Sequence, residues 1–172
     1  MSEELQENIA AYIQRLLPLM VSVFLVLLSY IPLDFEAANN MRPAAGLICV
    51  FFWMIHRPDV FNLMSVYLLG LVEDVISSAP FGSHIFALLV MYLLVSNMAA
   101  FLNGKPFVVT WYGFALLALV TMLCRWLLVS VYYSQFLPLS LLMFNILFTI
   151  AFYPVLSLIN AFVQNTLMKD EI

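Results

Sequence analysis

Three charged side chains lie inside long apolar stretches of this sequence, and they are the residues best placed to do chemistry. Glu73 and Asp74 are neighbours in one stretch, and Arg125 lies in another. A charge in the middle of a membrane helix costs about 2.5–3.5 kcal/mol on insertion scales, so such residues usually pair or serve a function. Two adjacent acids are not an acid–base site by themselves, because neighbouring helical residues point about 100° apart.

Other residues with reactive side chains are too scattered to form a site. We expect His56 and His84 to lie on opposite sides of the membrane, where they cannot share a metal ion, and Cys49 and Cys124 to act as small hydrophobes. The sequence contains no glycine-rich phosphate loop and no nucleophile elbow. It has no run of Lys and Arg, so nucleic acid is not an expected partner. These patterns predict neither an enzyme nor a cofactor.

The composition indicates what kind of protein must position these residues. The chain has 172 residues, of which 65% are hydrophobic and only 9% charged, with a net charge of -4 and a mean hydropathy of +1.05. Soluble domains are about 45–50% apolar and about 25% charged. The sequence therefore predicts an all-α integral membrane protein. Six spans of about 20 residues leave roughly 50 residues for ends and loops, which is too few for a separate soluble domain.

Proline, glycine and polar clusters divide the chain into one membrane domain with six predicted spans. An amphipathic segment, residues 1–15, precedes them, either as an interfacial helix or as an extension of the first span. The predicted spans cover residues 16–33, 43–55, 60–79, 84–102, 107–131 and 136–163. The second span would reach only about 20 Å as a helix, so it must tilt little, begin below the surface or thin the bilayer.

The distribution of Lys and Arg predicts cytoplasmic termini. With the N-terminus inside, four basic residues fall on the inner side and two on or near the outer side. The inner residues are Arg15, Arg57, Lys105 and Lys169, and the outer residues are Arg42 and Arg125. In this topology Glu73, Asp74 and Arg125 all lie about six residues before an outer end, so their depths match. We predict that Arg125 pairs with Asp74 or Glu73; the alternative is that each side chain snorkels to the outer surface.

The last predicted span carries a stripe of polar and small residues at four-residue spacing. Its members are Asn145, Thr149, Tyr153 and Ser157, with Asn160 beside them. Such residues mediate helix–helix contacts in lipid, either within the bundle or with a partner's helix. Pro154 lies in the same span and frees the Ile150 carbonyl, for which Thr149, Tyr153 or a water could provide a hydrogen bond.

The order of several short motifs resembles the pattern of the rod shape-determining protein MreD family. The matching residues are Arg42-Pro43, Trp53, Arg57-Pro58, Gly70-Leu71, Asp74, Pro80-Phe81-Gly82 and Pro154. The resemblance covers about residues 42–84 and the last span. Glu73 and Phe81 depart from the residues that are commoner in the family.

The resemblance implies a non-enzymatic subunit of the bacterial cell-elongation machinery in the inner membrane. Its expected partners are membrane lipids, the transmembrane helix of MreC and, indirectly, the MreB filament and the RodA–penicillin-binding-protein synthase. The implied fold is similar to the substrate-binding subunits of energy-coupling-factor transporters.

The fold similarity supplies a second hypothesis, a small-molecule (vitamin) uptake subunit whose outer loop, 34–42, covers a pocket. The Ala-x-x-x-Ala pair that would mark such a subunit is missing from the first predicted span, because residues 16–33 contain no alanine. A third class, a membrane enzyme, lacks any constellation of reactive residues.

Overall fold

A computed structural model describes residues 2–31 and 42–167, with the side chains of residues 16–31 and 42–166. In this part of the chain it contains six α-helices and no β-strand. The helices are α1 (Ser2–Ser29), α2 (Ala45–His56), α3 (Leu63–Ile76), α4 (Ser83–Leu102), α5 (Phe107–Tyr132) and α6 (Leu139–Leu167). The predicted outer loop over 34–42 falls almost wholly outside the described residues, as do the side chains of the amphipathic segment.

Within the described residues, three helices are long and apolar enough to cross a membrane by themselves. They are Ser83–Leu102, Phe107–Tyr132 and Leu139–Thr166. Two shorter apolar helical stretches are Leu16–Ser29 and Ala45–His56. The all-helical architecture expected from the sequence is thus present, whereas the number of spans and the likeness to transporter subunits remain predictions.

The second helix is the centre of the bundle. It contacts each of the other five helices, which surround it in the order α1, α3, α4, α5 and α6. Every residue from Ala45 to Ile55 is buried, with Trp53 among the side chains that have no exposed surface. The sequence left three ways to accommodate its short length: little tilt, a start below the surface, or a locally thinner bilayer. A helix enclosed by protein on every side has no lipid-facing surface whose length must match the bilayer.

The turns follow from the local sequence. Asn62 caps α3 by accepting a hydrogen bond from the Ser65 backbone N–H at 3.1 Å. Gly82 precedes α4 with a φ of 93°, a left-handed conformation that glycine adopts without steric cost. Pro106 stands immediately before α5, where its missing N–H costs nothing. Helix α1 continues unbroken from Ser2 to Ser29 with Pro18 inside it.

Candidate functional site

The last turn of α3 presents its two adjacent acids to two different helices. Glu73 Oε1 accepts a hydrogen bond from the Gly46 backbone N–H in the first turn of α2, at 3.2 Å. Asp74 bonds instead to the first turn of α4. Both acids are buried. Because side chains at neighbouring helical positions diverge by about 100°, one turn of α3 can cap the N-termini of α2 and α4 at the same time.

Asp74 uses both of its carboxylate oxygens in this role. Oδ2 accepts from the backbone N–H groups of Gly82 at 2.9 Å and Ile85 at 3.2 Å. Oδ1 accepts from the His84 backbone N–H at 2.9 Å and lies 3.0 Å from His84 Nδ1. The Asp74 side chain has no exposed surface. A carboxylate at a helix N-terminus satisfies the free N–H groups there and interacts favourably with the helix dipole.

Gly70 and Gly82 allow α3 and α4 to meet closely enough for these bonds. A Cβ atom at Gly70 would lie 2.7 Å from the Cα of Ile85, so only glycine fits between the two backbones. The Ser83 backbone N–H donates to the Pro80 carbonyl at 3.1 Å, which closes the turn before α4. Four of the motif residues, Gly70, Asp74, Pro80 and Gly82, therefore meet in one structure, the α3–α4 hairpin.

His84 extends the same network toward α1. Its Nδ1 lies 3.2 Å from Ser77 Oγ, and its Nε2 lies 3.4 Å from the Tyr30 hydroxyl at the end of α1. The sequence prediction missed this role of His84. The signal available was its position directly after the Pro80–Gly82 turn, where a helix begins and its N–H groups need acceptors.

Glu73 and Arg125 line one polar cavity of about 320 Å³. The other polar residues that line it are Tyr30, Arg42, Ser77, Ser78, His84 and Asn145. Among the described residues, no ion pair within 4 Å joins Arg125 to either acid, and its buried Nε has no hydrogen-bond partner. A direct pair therefore remains a prediction, and both Asp74 oxygens already accept hydrogen bonds from backbone N–H groups.

Most of the polar stripe on α6 faces α2 inside the bundle. Thr149 Oγ1 accepts from the Ala44 backbone N–H at 3.1 Å, just before α2 begins. The Tyr153 ring stacks on Phe114, with centroids 4.5 Å apart. Asn160 Nδ2 donates to the Leu156 carbonyl at 3.0 Å and lies 3.8 Å from Cys49 Sγ.

The two remaining members of the stripe differ in their surroundings. Ser157 is buried and donates to the Pro154 carbonyl at 2.9 Å, whereas Asn145 lines the polar cavity. Four of the five stripe residues are thus buried in the bundle, where a partner's helix cannot reach them.

The carbonyl freed by Pro154 has a partner on another helix. Trp111 Nε1 on α5 donates to the Ile150 carbonyl at 3.0 Å. The sequence suggested Thr149 or Tyr153 for this role, but Thr149 donates instead to the Asn145 carbonyl at 2.7 Å. Nothing in the sequence singled out Trp111, which lies 39 positions away from Ile150.

The end of the bundle opposite to the polar cavity contains Arg57, Pro58 and His56. The Arg57 guanidinium bonds to the Asp59 carboxylate, with Nη2 3.2 Å from Oδ2. This bonding holds the pKa of the Asp59 carboxyl below its usual value. His56 stacks on Phe52 at this end, so the two histidines lie at opposite ends of the bundle. Within the described ranges, no group of three or more His, Cys, Asp or Glu residues could hold a metal ion.

A family model described as rod shape-determining protein MreD matches residues 10–163. The chain belongs to the MreD family. MreD proteins are membrane proteins with a role in determining rod shape, and they are not known as enzymes. Comparison with curated proteins finds no match, and comparison with solved structures finds none either. The hairpin residues Gly70, Asp74, Pro80 and Gly82 thus lie within the matched part of an MreD protein.

Proposed function

We propose that this MreD protein is a non-enzymatic scaffold of the bacterial cell-elongation machinery. In this proposal it lies in the inner membrane, binds the transmembrane helix of MreC and couples it to lateral peptidoglycan synthesis. Contact with the MreB filament and with the RodA–penicillin-binding-protein synthase is indirect. The observation that carries the proposal is the family match over residues 10–163.

The use of the hairpin residues supports a scaffold rather than an enzyme. Asp74 is fully engaged with backbone N–H groups, and Gly70 and Gly82 serve close packing and a left-handed turn. A carboxylate so occupied has no oxygen free to act on a substrate. These residues hold α3 and α4 together as a rigid helix pair. A rigid surface loses less conformational entropy when a partner binds to it.

The partner helix would pack on the lipid-facing surface. Large apolar side chains are exposed on several helices, among them Phe24 on α1, Leu93 on α4, Leu116 on α5 and Phe162 on α6. Because lipid tails are as apolar as these side chains, helix association in a membrane depends on close packing at one face. We therefore expect contact with MreC to be confined to one side of the bundle.

Site-specific photocrosslinking tests this expectation. A photoreactive phenylalanine analogue placed at Phe24, Leu93, Leu116 or Phe162 in separate full-length chains should crosslink MreC from adjacent helices only. The fully buried Phe51 provides the matched control position, at which no crosslink is expected. A folded chain that crosslinks MreC at none of the four surface positions would overturn the proposed interface.

The Arg57–Pro58 turn would face the cytoplasm if both termini are cytoplasmic. The charge distribution favours that orientation, and a contact with filament components would then involve this turn. Depletion of the protein should cause loss of rod shape, with rescue by the wild-type chain. Equal rescue by Arg57→Ala would exclude a role for the Arg57 side chain, whereas failed rescue at normal protein levels would support one.

A small-molecule uptake subunit is the second candidate, and the polar cavity of about 320 Å³ favours it. Extraction of the purified protein followed by mass spectrometry separates the two functions. A vitamin-like molecule in one-to-one ratio would support uptake, whereas co-purification with MreC and no such molecule would support the scaffold.

A further inference from the structure

Two neighbouring cavities of this protein share part of their walls. The polar cavity lies among the ends of α1, α3 and α4, and an apolar groove of about 240 Å³ runs between α5 and α6. Met122, Arg125 and Asn145 line both. The two spaces therefore adjoin at these three residues, with a polar compartment on one side and an apolar compartment on the other.

The polar compartment has an excess of positive charge among its described residues. Its charged lining side chains are Arg42, Arg125 and Glu73. Glu73 already accepts a hydrogen bond from Gly46, and the Arg42 guanidinium lies 5.2 Å from the centre of the Tyr30 ring. The cavity therefore has two guanidinium groups and one carboxylate that already accepts a hydrogen bond. This balance of charge favours the binding of an anion in the cavity. Guanidinium groups bind phosphate and carboxylate oxygens by charge-assisted hydrogen bonds.

The junction holds polar atoms that lack partners. Arg125 Nε and Asn145 Oδ1 are buried and make no hydrogen bond within the part of the chain that the structure describes. A buried polar atom without a partner costs about 1–3 kcal/mol, so such atoms commonly mark the place of a ligand or water. Both residues line the two cavities at their meeting point.

The groove suits a hydrocarbon chain. It is lined by Trp126, Val129, Leu137, Leu141 and Leu142, together with the junction residues and Pro138. Leu141 is 44% exposed, so the groove opens to the outside of the bundle. The buried Trp126 Nε1 has no acceptor among the described residues, and the carbonyl of an ester would supply one.

From this arrangement we infer that the joined cavities bind one anionic lipid of the surrounding bilayer. Its headgroup phosphate lies between Arg42 and Arg125, and one of its chains runs along Trp126 and Leu141. A free anion would leave the groove empty, and a neutral lipid would leave the guanidinium groups unpaired. An anionic lipid satisfies both compartments. This inference does not depend on the proposed binding of MreC.

Trp126 makes the inference measurable by fluorescence quenching. The full-length protein is placed in phosphatidylcholine nanodiscs that contain a small, fixed fraction of lipid with brominated chains, either phosphatidylglycerol or phosphatidylcholine. Bromine atoms in the groove quench Trp126. We expect brominated phosphatidylglycerol to quench more strongly at equal bromine content, and Trp126→Phe to abolish the difference. Equal quenching by both lipids would mean only unselective contact at the protein surface and would overturn the inference.

Charge variants test the headgroup contact. Arg125→Gln should weaken the apparent affinity for brominated phosphatidylglycerol about tenfold, because a charge-assisted bond is lost. Lys105→Gln removes one positive charge at the other end of the bundle, where Lys105 is exposed, and should change nothing. Equal affinities for the wild type and Arg125→Gln would contradict the assigned headgroup position.

A groove variant and a competition experiment test the inference independently of Arg125→Gln. Leu141→Phe narrows the groove at an exposed position and should reduce selective quenching even if Arg125→Gln does not fold. Unlabelled phosphatidylglycerol should restore the fluorescence, whereas inorganic phosphate should not. Restoration by inorganic phosphate, or unchanged quenching in Leu141→Phe, would show that the site takes a free anion or that no chain enters the groove.

Discussion

The two ends of the bundle use acidic residues in opposite ways. At the end where α3 stops, the Asp74 carboxylate is buried and bonds to backbone N–H groups eight to eleven positions further along the chain. At the other end, Asp59 is 61% exposed and bonds to Arg57, two positions away. We refer to these as the Asp74 end and the Arg57 end.

This difference distinguishes buried hydrogen bonds that fix the position of a helix from exposed bonds that contribute little to the fold. A carboxylate buried against another helix fixes the position of that helix, and its removal leaves N–H groups without acceptors. An exposed ion pair between near neighbours forms in many backbone conformations and is weakened by solvent. The presence of an acid in the sequence therefore says little about its importance until its burial and the distance to its partner are known.

The strongest test compares the two acids directly. Asp74→Ala should destabilise the protein by about 3–5 kcal/mol, because three N–H groups and His84 lose their acceptor in a buried place. Asp59→Ala is the matched control and should leave the folded yield unchanged. Fluorescence-detected size-exclusion chromatography with thermal challenge measures both. A similar loss of stability in the two variants would show that the two acids are equally important to the fold.

A second test concerns the close approach of helices at the Asp74 end. Gly70→Ala places a methyl group against the Ile85 backbone and should cost about 1–3 kcal/mol through overpacking. Gly113→Ala is the control, since the nearest atoms to its new methyl group, from 3.0 Å, belong to the flexible Leu102 side chain. Thermal melts in detergent would rank the two variants. A more damaging Gly113→Ala would indicate that backbone contact is not what makes Gly70 necessary.

The Asp74 end can be resolved further by double-mutant cycles. Glu73→Gln and Arg125→Gln should show a coupling energy of about 1–2 kcal/mol, because both residues line one cavity. Asp74→Asn and Arg125→Gln should be additive within about 0.5 kcal/mol, since the Asp74 oxygens are engaged with α4. The two cycles are measured by the same unfolding assay. If Arg125 showed a coupling energy with Asp74 and none with Glu73, then Asp74 and not Glu73 would be the acid that interacts with Arg125.

A hydrogen bond in the middle of the bundle, from Trp111 to the Ile150 carbonyl, can be tested in the same way as those at the Asp74 end. Trp111→Phe removes the donor to the Ile150 carbonyl and should cost about 1 kcal/mol. In a Pro154→Ala background the same change should cost less, because residue 154 regains an N–H that can bond to that carbonyl. Melting temperatures of the four chains complete the cycle. An identical cost in both backgrounds would mean that packing of the Trp111 ring, not its hydrogen bond, dominates.

The smallest effect is expected from pH at the Arg57 end. The pKa of Asp59 is lowered in the folded protein by its bond to Arg57, so its stabilising contribution exists above the unfolded pKa and is lost as pH falls through the folded pKa. Asp59→Asn should therefore change the melting temperature by no more than about 2 °C at pH 7, and by nothing at a pH well below 3. A larger effect at pH 7 would place Asp59 in a network beyond this pair.

The helices and turns could be predicted because their signals are local. The Pro80–Gly82 turn and the starts of α4 and α5 fall within one or two residues of the predicted bounds, since proline, glycine and polar clusters act on the chain next to them. The central position of α2 could not be predicted in this way. Its residues are apolar all round, which fits a helix surrounded by protein as well as one surrounded by lipid.

The partners of the buried polar groups were harder to predict for a physical reason. Depth along the membrane suggested that Arg125 pairs with Asp74 or Glu73. The partners of Asp74 in the structure include three backbone N–H groups, which every residue except proline carries. Trp111 was missed in the same way, because the carbonyl that it satisfies is also part of the backbone. Side-chain chemistry singled out the buried acids, whereas only the packing of helices reveals what they bind.

The enclosure of α2 has a consequence for how the protein enters the membrane. Twelve helical residues rise about 18 Å, whereas the hydrocarbon core of a bilayer is about 30 Å thick. Such a segment is a poor candidate for release into lipid by itself, because its ends would bring unsatisfied backbone groups into the hydrocarbon. Among the residues that the structure describes, the backbone N–H groups of Ala44 and Gly46 at its N-terminus donate to Thr149 and Glu73, which are synthesised later. We therefore expect the insertion machinery to retain α2 until α3 and α6 have been made.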